Sequence, residues 1–298
     1  MNDNVKPSLD TIKPAPLAYE NKKFLDGPEG RALRILAEYQ EPLVRFRREQ
    51  IQDTVVFFGS ARFHSHSAAQ NVVEMLEKPG SRQVASPEWQ RKMQRAHVDL
   101  QMARYFEDAR RLAYLLTQWS LKIPSKRRRF VVTTGGGPGI MEAANQGAAE
   151  AGGPTVGLNI NLPFEQMPNR YITPELNFEF HYFFMRKLWF AYLAKGLIVF
   201  PGGFGTFDEL FEILTLAQTE KMAKRMVVVM YGREYWTKIV NFEAMAEMGV
   251  ISPEDLNLFK IVDSPEEGFE YMKENLTKHH LPPQGGVERV PEIAKTRP

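Results

Sequence analysis

Residues 196–212 read GLIVFPGGFGTFDELFE, and this stretch decides the fold. Leu197–Phe200 is a short apolar run rich in branched residues, which predicts a strand buried on both faces. A glycine-rich turn at Pro201–Thr206 follows, and from Phe207 apolar residues recur at helical spacing. Its three glycines allow close approach to a ligand, and free N–H groups at a helix start attract an anion, usually a phosphate. The stretch therefore predicts a strand, an anion-binding turn and a helix.

The start of this helix also has a purely structural interpretation. Thr206 and Glu209 have the spacing of a capping box, in which Thr206 caps the helix and Glu209 reaches back to it. The turn is not a P-loop, because no Gly-Lys-Ser/Thr ending follows the glycines.

The composition is that of a soluble globular protein, with 298 residues of which 43% are hydrophobic and 25% charged. The net charge of +2 and the single basic run at Lys126–Arg129 do not favour nucleic-acid binding. With no cysteine, and with no third ligand near His64 and His66, we expect no metal site. There is no secretory signal, and no apolar run approaches the roughly 18 residues of a membrane span. We expect a cytoplasmic protein without membrane contact.

Three regions are predicted along the chain: a mobile N-terminal arm at residues 1–22, a single domain at 23–278 and a mobile C-terminal tail at 279–298. The domain begins with a helical extension that precedes the first strand, Thr54–Phe58. After this strand, residues 63–87 are polar and rich in breakers, and a long helix is predicted from Glu88 to about Lys122.

Strands alternate with helices through the rest of the domain. Further strands are predicted at Phe130–Thr133, Thr155–Leu158, Met226–Met230 and Phe259–Val262, and further helices at Tyr235–Met248 and Pro265–Asn275. This alternation predicts an α/β fold, a Rossmann-like doubly wound parallel sheet with helices on both faces. The turns at Gly59, Gly135 and Pro201 are expected to converge on one crevice at the carboxyl edge of the sheet.

A second glycine cluster, TGGGPGIME, occupies residues 134–142 and again lies between a strand and a helix. It does not match the dinucleotide fingerprint, because Ile140 and Glu142 stand where a final glycine is needed. No acidic residue for a ribose follows about 20 residues later. An NAD-dependent oxidoreductase is therefore poorly supported.

Three polar residues near these turns are candidates for ligand contact. Glu142 and Asn145 lie on the first turns of the helix after the second glycine cluster, where they either cap the helix, face solvent or hold a ribose or base. Arg186 lies at a helix start, where the helix dipole disfavours a cation. That position favours an Arg186 side chain that faces an anion or a reacting group.

Two motifs together resemble the signature of the LOG (Lonely Guy) family: Met185-Arg186-Lys187 and the string PGGFGTFDE at Pro201–Glu209. Gly59-Ser60 and Gly135–Met141 are similar to the first and second loops of that family, in the same order. The resemblance covers roughly residues 53 to 230. The helical extension and the insertion after the first strand resemble the longer bacterial branch of the family.

This resemblance implies a phosphoribohydrolase that cleaves the N-glycosidic bond of a nucleoside 5′-monophosphate, such as AMP or a cytokinin riboside monophosphate. The products are the free base and ribose 5-phosphate. Family members are often labelled lysine decarboxylases, and nothing in this sequence supports that label. The resemblance implies an enzyme without a cofactor that assembles as a homo-oligomer, a dimer or larger. A nucleotide or cofactor carrier that uses the same crevice without turnover remains an alternative.

The resemblance also implies roles for particular residues. Arg186 and Glu209 would be catalytic, and the backbone N–H groups from Gly202 to Thr206 would hold the 5′-phosphate. The implied substrate-binding and phosphate-binding residues are Gly59, Ser60, Gly136, Gly137, Met185, Lys187, Gly202, Gly203, Gly205 and Thr206.

Overall fold

The computed structural model describes residues 14–78, 86–163, 167–222 and 224–281. The predicted arm at 1–22 lies outside the described residues up to residue 13, and the predicted tail at 279–298 lies outside them from residue 282. The described chain divides into two compact units, one up to Glu41 and one from Pro42 onward. The first unit contains a short helix at Lys22–Asp26, which is capped by the side chain of Asn21. The second unit contains the sheet.

The sheet of the second unit has seven parallel strands. They are β1 (Thr54–Phe58), β2 (Val131–Thr134), β3 (Thr155–Ile160), β4 (Asn177–Phe180), β5 (Ala194–Val199), β6 (Val227–Tyr231) and β7 (Phe259–Val262). Their order across the sheet is β4-β3-β2-β1-β5-β6-β7. The chain order reverses between β1 and β5, which makes that boundary the switch point where such sheets bind ligands. The predicted Rossmann-like doubly wound parallel sheet is confirmed.

Helices connect the strands and precede the first of them. They are α1 (Lys22–Asp26), α2 (Arg31–Arg48), α3 (His66–Glu77), α4 (Pro87–Ser120), α5 (Ile140–Glu150), α6 (Phe183–Leu193), α7 (Phe204–Gln218), α8 (Arg233–Ile239), α9 (Phe242–Glu247) and α10 (Pro265–His280). The long predicted helix in the insertion after the first strand is α4. Among the described residues, every helix is too short or too polar to traverse a lipid bilayer.

Both faces of the sheet are covered, and β1 shows how. Phe57 lies in the same apolar core as Leu112 of α4 and Met272 of α10. The next residue, Phe58, points to the opposite face, where its ring meets Phe190 of α6 with the ring centroids 4.7 Å apart. All five residues of β1 are buried, as its continuous apolar run predicts.

The insertion after β1 contains a helix that the sequence prediction missed. Residues 63–87 were expected to form a polar loop, but α3 occupies His66–Glu77 within them. Ser65 caps this helix by accepting a hydrogen bond from the Ala68 N–H at 3.3 Å. Only Ala69 and Val73 of α3 are buried, so the apolar stripe is too narrow to stand out in the sequence.

Two other elements also differ from the prediction. The helix expected at Tyr235–Met248 is two helices, α8 and α9, because Val240 is extended and Asn241 caps α9 through the Ala244 N–H at 2.9 Å. The aromatic stretch before α6, in which no strand was predicted, contains the edge strand β4.

Candidate functional site

The three glycine turns meet at the switch point between β1 and β5, as the sequence predicts. The Ser60 N–H donates to the Pro201 carbonyl oxygen at 2.9 Å, which joins the turn after β1 to the turn after β5. The Ile140 N–H donates to the Ser60 carbonyl oxygen at 3.0 Å, which adds the start of α5. Gly139 has a φ of 72°, and a Cβ there would clash with that Ser60 oxygen, so this approach requires glycine. We call the region where these turns meet, at the carboxyl ends of β1, β2 and β5, the crevice.

Helix α7 begins earlier than a capping box at Thr206 requires, so that interpretation is wrong. The first helical residue is Phe204, and Gly203 is the N-cap. The Gly203 carbonyl oxygen accepts from the Thr206 N–H at 2.9 Å and from the Phe207 N–H at 3.1 Å. The Thr206 side chain is buried against Gly202, where a Cβ would clash with its hydroxyl. The Thr206 side chain therefore packs beneath the turn and does not cap the helix.

The start of α7 presents a row of free backbone donors. Within the described chain, the N–H groups of the four residues from Gly202 to Gly205 have no acceptor. Gly203, Phe204 and Gly205 are exposed, so solvent reaches this row. Because the Thr206 N–H is already bonded, the predicted phosphate cradle narrows to Gly202–Gly205. Free N–H groups at the positive end of a helix dipole favour an anion at this position.

Asn169, which the sequence analysis did not identify, holds the second glycine turn. Its side-chain amide donates to the carbonyl oxygens of Gly136 and Gly137, each at 3.1 Å, and its N–H donates to Gly136 at 2.8 Å. The Gly137 N–H has no acceptor among the described residues, and Gly137 itself is buried. Nothing in a single sequence distinguishes this asparagine from other loop asparagines, so its role could not be predicted.

The two polar residues at the start of α5 are placed differently. Asn145 is fully buried, and its amide bonds to Thr134 Oγ1 at 2.7 Å, to Asn169 Nδ2 at 2.9 Å and also to Thr155 Oγ1. This network ties α5 to β2 and β3, so Asn145 neither caps the helix nor faces solvent, and its amide is not free for a ribose or base. Glu142 is half-buried on the first turn of α5 and remains a candidate for ligand contact.

In the turn after β1, the predicted binding residues Gly59 and Ser60 are half-buried. A Cβ on Gly59 would clash with Ile140, so this glycine allows β1 and α5 to approach each other. The Ser60 hydroxyl oxygen accepts from the Arg62 N–H at 3.1 Å and keeps its own proton to donate.

Glu209 is a buried acid in the second turn of α7. Its side chain is 5% exposed, and its Oε1 makes no hydrogen bond within the described chain. Burial raises the pKa of this carboxyl to about 7, although the positive charges of Lys187 and Arg186 act in the opposite direction. A buried carboxyl with a free oxygen at a ligand crevice is typical of a functional group.

Arg186 comes from α6 and faces Glu209, so the structure brings the two predicted catalytic residues together. Its Nη2 lies 3.9 Å from Glu209 Oε1, which is too long for a hydrogen bond, and its buried Nε has no partner in the described chain. Its guanidinium lies 5.2 Å from the ring centroid of Phe183 and 5.5 Å from that of Phe190. Burial lowers its pKa from the ordinary value. A Cβ on Gly135 would lie 4.0 Å from Nη1, which places Arg186 beside the second glycine turn.

The neighbours of Arg186 in the motif have protein partners instead of an open position. Lys187 Nζ lies 2.8 Å from Asp208 Oδ2, 2.6 Å from Glu212 Oε2 and 3.7 Å from Glu209 Oε2. It therefore ties α6 to α7. Met185 is buried in the core. Both side chains therefore contact protein in this structure, and the contact with substrate that the resemblance implies for them stays a prediction.

Tyr235 of α8 is a further residue of this crevice that the sequence analysis missed. Its hydroxyl donates to the Gly202 carbonyl oxygen at 2.5 Å. The partners are 33 residues apart, so nothing in the local sequence indicates the contact.

In the part of the chain that the structure describes, His, Asp and Glu side chains form no group of three suited to a metal ion.

Comparison with known families and structures gives one family match. A family model described as "Possible lysine decarboxylase" matches residues 141–272, which include Arg186, the glycine turn after β5 and Glu209. No curated protein gives a significant match.

Three solved structures share parts of the fold. The molybdenum cofactor binding protein of Rippkaea orientalis is 23% identical, with a TM-score of 0.41 over 58% of this chain and 88% of that one. The molybdenum cofactor carrier protein of Chlamydomonas reinhardtii is 20% identical, with a TM-score of 0.41 over 58% and 89%. The structural-genomics target TM1055 is 18% identical, with a TM-score of 0.43 over 74% and 99%. At these identities and scores, they add nothing about what this chain binds.

Proposed function

We propose that this chain hydrolyses nucleoside 5′-monophosphates. The resemblance to the LOG family supports this proposal, and so does the family-model match over residues 141–272. Water adds to C1′ of the ribose, the C1′–N bond breaks and the base leaves with a proton. The products are the free base and ribose 5-phosphate. AMP and cytokinin riboside monophosphates are the proposed substrates.

The row of free N–H groups at the start of α7 would hold the 5′-phosphate. Gly202–Gly205 supply the donors, and the glycines leave room for the phosphate oxygens. Binding energy at the phosphate, remote from C1′, can orient the ribose for reaction. We therefore expect hydrolysis to require a 5′-phosphate on the substrate.

Glu209 would act at the sugar. Cleavage of an N-glycosidic bond builds positive charge at C1′, as in glycoside hydrolysis, and a nearby carboxylate stabilises that charge. Burial raises the pKa of the Glu209 carboxyl to about 7, close to a neutral working pH, which suits this group to take a proton from water. Arg186 would orient this carboxylate or stabilise the departing base.

The observation that carries the proposal is the buried pair itself. Glu209 Oε1 and Arg186 Nε are both buried and both lack a hydrogen-bond partner among the described residues, and Arg186 lies beside the second glycine turn. Unpaired buried polar atoms destabilise a fold, so their presence supports a role with substrate.

The proposal is tested by incubating the protein with AMP, CMP, GMP and isopentenyl-AMP and detecting free base by chromatography. Adenosine serves as the matched control, because it lacks only the 5′-phosphate. We expect base release from at least AMP or isopentenyl-AMP and little from adenosine. Tight nucleotide binding without base release would contradict hydrolysis and favour the carrier.

A further inference from the structure

The turn that presents the free N–H groups is held on both sides by its carbonyl oxygens. The Pro201 carbonyl accepts from the Ser60 N–H at 2.9 Å on the β1 side. The next carbonyl, that of Gly202, accepts from the Tyr235 hydroxyl at 2.5 Å on the β6 side. Two successive peptide groups are therefore fixed by neighbours on either side of β5.

Tyr235 is placed by an anchored helix. The next residue, Trp236, is fully buried, and its indole N–H donates to the Tyr231 carbonyl oxygen at 3.0 Å. The Trp236 ring also packs on Phe207 of α7, with the ring centroids 5.5 Å apart. These contacts fix α8 against both the end of β6 and the start of α7, so the Tyr235 hydroxyl has a defined position.

The orientation of the Gly202 carbonyl determines where the next N–H points. The C=O and N–H of one trans peptide point in opposite directions, so a carbonyl turned toward Tyr235 directs the Gly203 N–H away from it. Glycines on both sides of this peptide leave its rotation otherwise weakly restricted. We propose that Tyr235 is a positioning residue that orients the Gly203 N–H, and with it the anion cradle, toward a phosphate ester.

The Tyr235 hydroxyl is suited to this task. Burial raises its pKa above the ordinary value, so it keeps its proton and remains a donor at neutral pH. Tyr235 would act on the ligand through the Gly202 peptide, so its role is indirect. The inference rests on the anion-binding part of the proposed function and does not depend on hydrolysis.

The test compares Tyr235→Phe with wild type by calorimetric titration of ribose 5-phosphate and of adenosine. The matched control is Tyr271→Phe, which removes the same atom on α10, where the hydroxyl has no hydrogen bond within the described chain. We expect Tyr235→Phe to weaken ribose 5-phosphate binding about three- to tenfold. Adenosine binding should match that of Tyr271→Phe, because the Tyr235 bond acts on the phosphate cradle, whereas a merely structural role would weaken the binding of both ligands alike.

The outcomes separate this inference from the proposed hydrolysis. Equal ribose 5-phosphate affinity in Tyr235→Phe and wild type overturns the role of Tyr235, even if wild type releases adenine from AMP. A wild-type protein that binds no ribose 5-phosphate overturns it as well. If wild type binds ribose 5-phosphate without cleaving AMP, and Tyr235→Phe loses affinity, the inference stands and the hydrolase proposal fails.

Discussion

Burial gives Glu209 chemistry that an exposed glutamate lacks. The loss of hydration destabilises its charged form more than Lys187 and Arg186 stabilise it, so the pKa rises from 4.5 to about 7. The same burial disfavours the charged form of Arg186. Both residues are therefore held in the fold at a cost in stability, which is expected at a functional site.

The pKa of Glu209 predicts how stability changes with pH. Between pH 4.5 and about 7 the folded state keeps the Glu209 proton while the unfolded state loses it, so stability falls as the pH rises through this window. Glu209→Gln removes this contribution. Urea unfolding at about pH 4.5 and about pH 8 should show wild type losing about 3 kcal/mol more than the variant across that interval. Parallel changes in both proteins would contradict a raised pKa.

At the residue scale, the sequence identified the two residues proposed to be catalytic but not the contacts that support them. Arg186 and Glu209 belong to motifs whose spacing is visible in one chain. The positions of Thr206, Lys187 and Tyr235 depend on tertiary contacts. Thr206 packs against Gly202, Lys187 pairs with acids of α7, and the Tyr235 hydroxyl donates to the Gly202 carbonyl. Such contacts leave no periodic or compositional signal.

At the scale of elements, the junction between β1, α5 and β5 shapes the crevice. Its close approaches depend on backbone contacts, as where Gly139 meets the Ser60 carbonyl. Gly152, at the other end of α5, also has a positive φ but has no atom within 4 Å of a Cβ position. Gly139 therefore combines a clash with a backbone conformation (φ 72°, ψ −132°) that favours glycine, whereas Gly152 has open space around a Cβ.

We predict that Gly152→Ala destabilises the protein by about 1 kcal/mol, the usual cost of a left-handed conformation with a Cβ. Gly139→Ala should cost about 3 kcal/mol or more, because the added Cβ also displaces α5 from the turn after β1. It should weaken AMP binding as well. Thermal and urea unfolding with AMP titration measure both effects, and equal losses in the two variants would contradict a tight junction at Gly139.

The strand–turn–helix units were predictable because their apolar runs end in glycine clusters. Helix α3 was not, since only Ala69 and Val73 of its residues are buried and the rest read as loop. The break between α8 and α9 was also missed, because Asn241 functions as a cap only where the chain turns there. Elements with wide apolar faces were recognised, and elements defined by a cap or a narrow contact were not.

At the scale of the whole molecule, a buried ion pair between Asp53 and Arg129 connects elements at the amino ends of the strands, opposite the crevice. Arg129 Nε donates to Asp53 Oδ2 at 2.8 Å, and Arg129 Nη2 donates to the His280 carbonyl oxygen at 2.7 Å. The Phe130 N–H also donates to Asp53 Oδ1 at 2.6 Å. Asp53 and Arg129 thus connect β1, β2 and the end of α10.

Asp53→Asn should destabilise the protein by about 3–5 kcal/mol, because it removes the negative charge that balances the buried Arg129 guanidinium. The control is Glu234→Gln, which breaks the exposed pair with Arg104 and should cost no more than about 1 kcal/mol. Urea unfolding measures both variants. Similar small losses would show that the buried pair contributes little to the stability of the fold.

The expected homo-oligomer stays a prediction, and α6 offers a surface for it. Phe184, Leu188 and Tyr192 recur every four residues and are 49%, 37% and 40% exposed. Light scattering at about 10 µM should give the molar mass of a dimer or larger, and Leu188→Glu should lower it. A wild-type protein with the mass of one chain would contradict this prediction.

The proposed hydrolysis is tested most directly by measuring the rate at which wild type and Glu209→Gln release adenine from AMP. Glutamine keeps the size of the side chain and removes its charge, while Glu243→Gln on the surface of α9 controls for the same substitution elsewhere. We predict that Glu209→Gln folds, binds AMP and loses about 100-fold or more of the rate, and that Glu243→Gln matches wild type. Equal rates in Glu209→Gln and wild type, or no adenine from wild type, would contradict it.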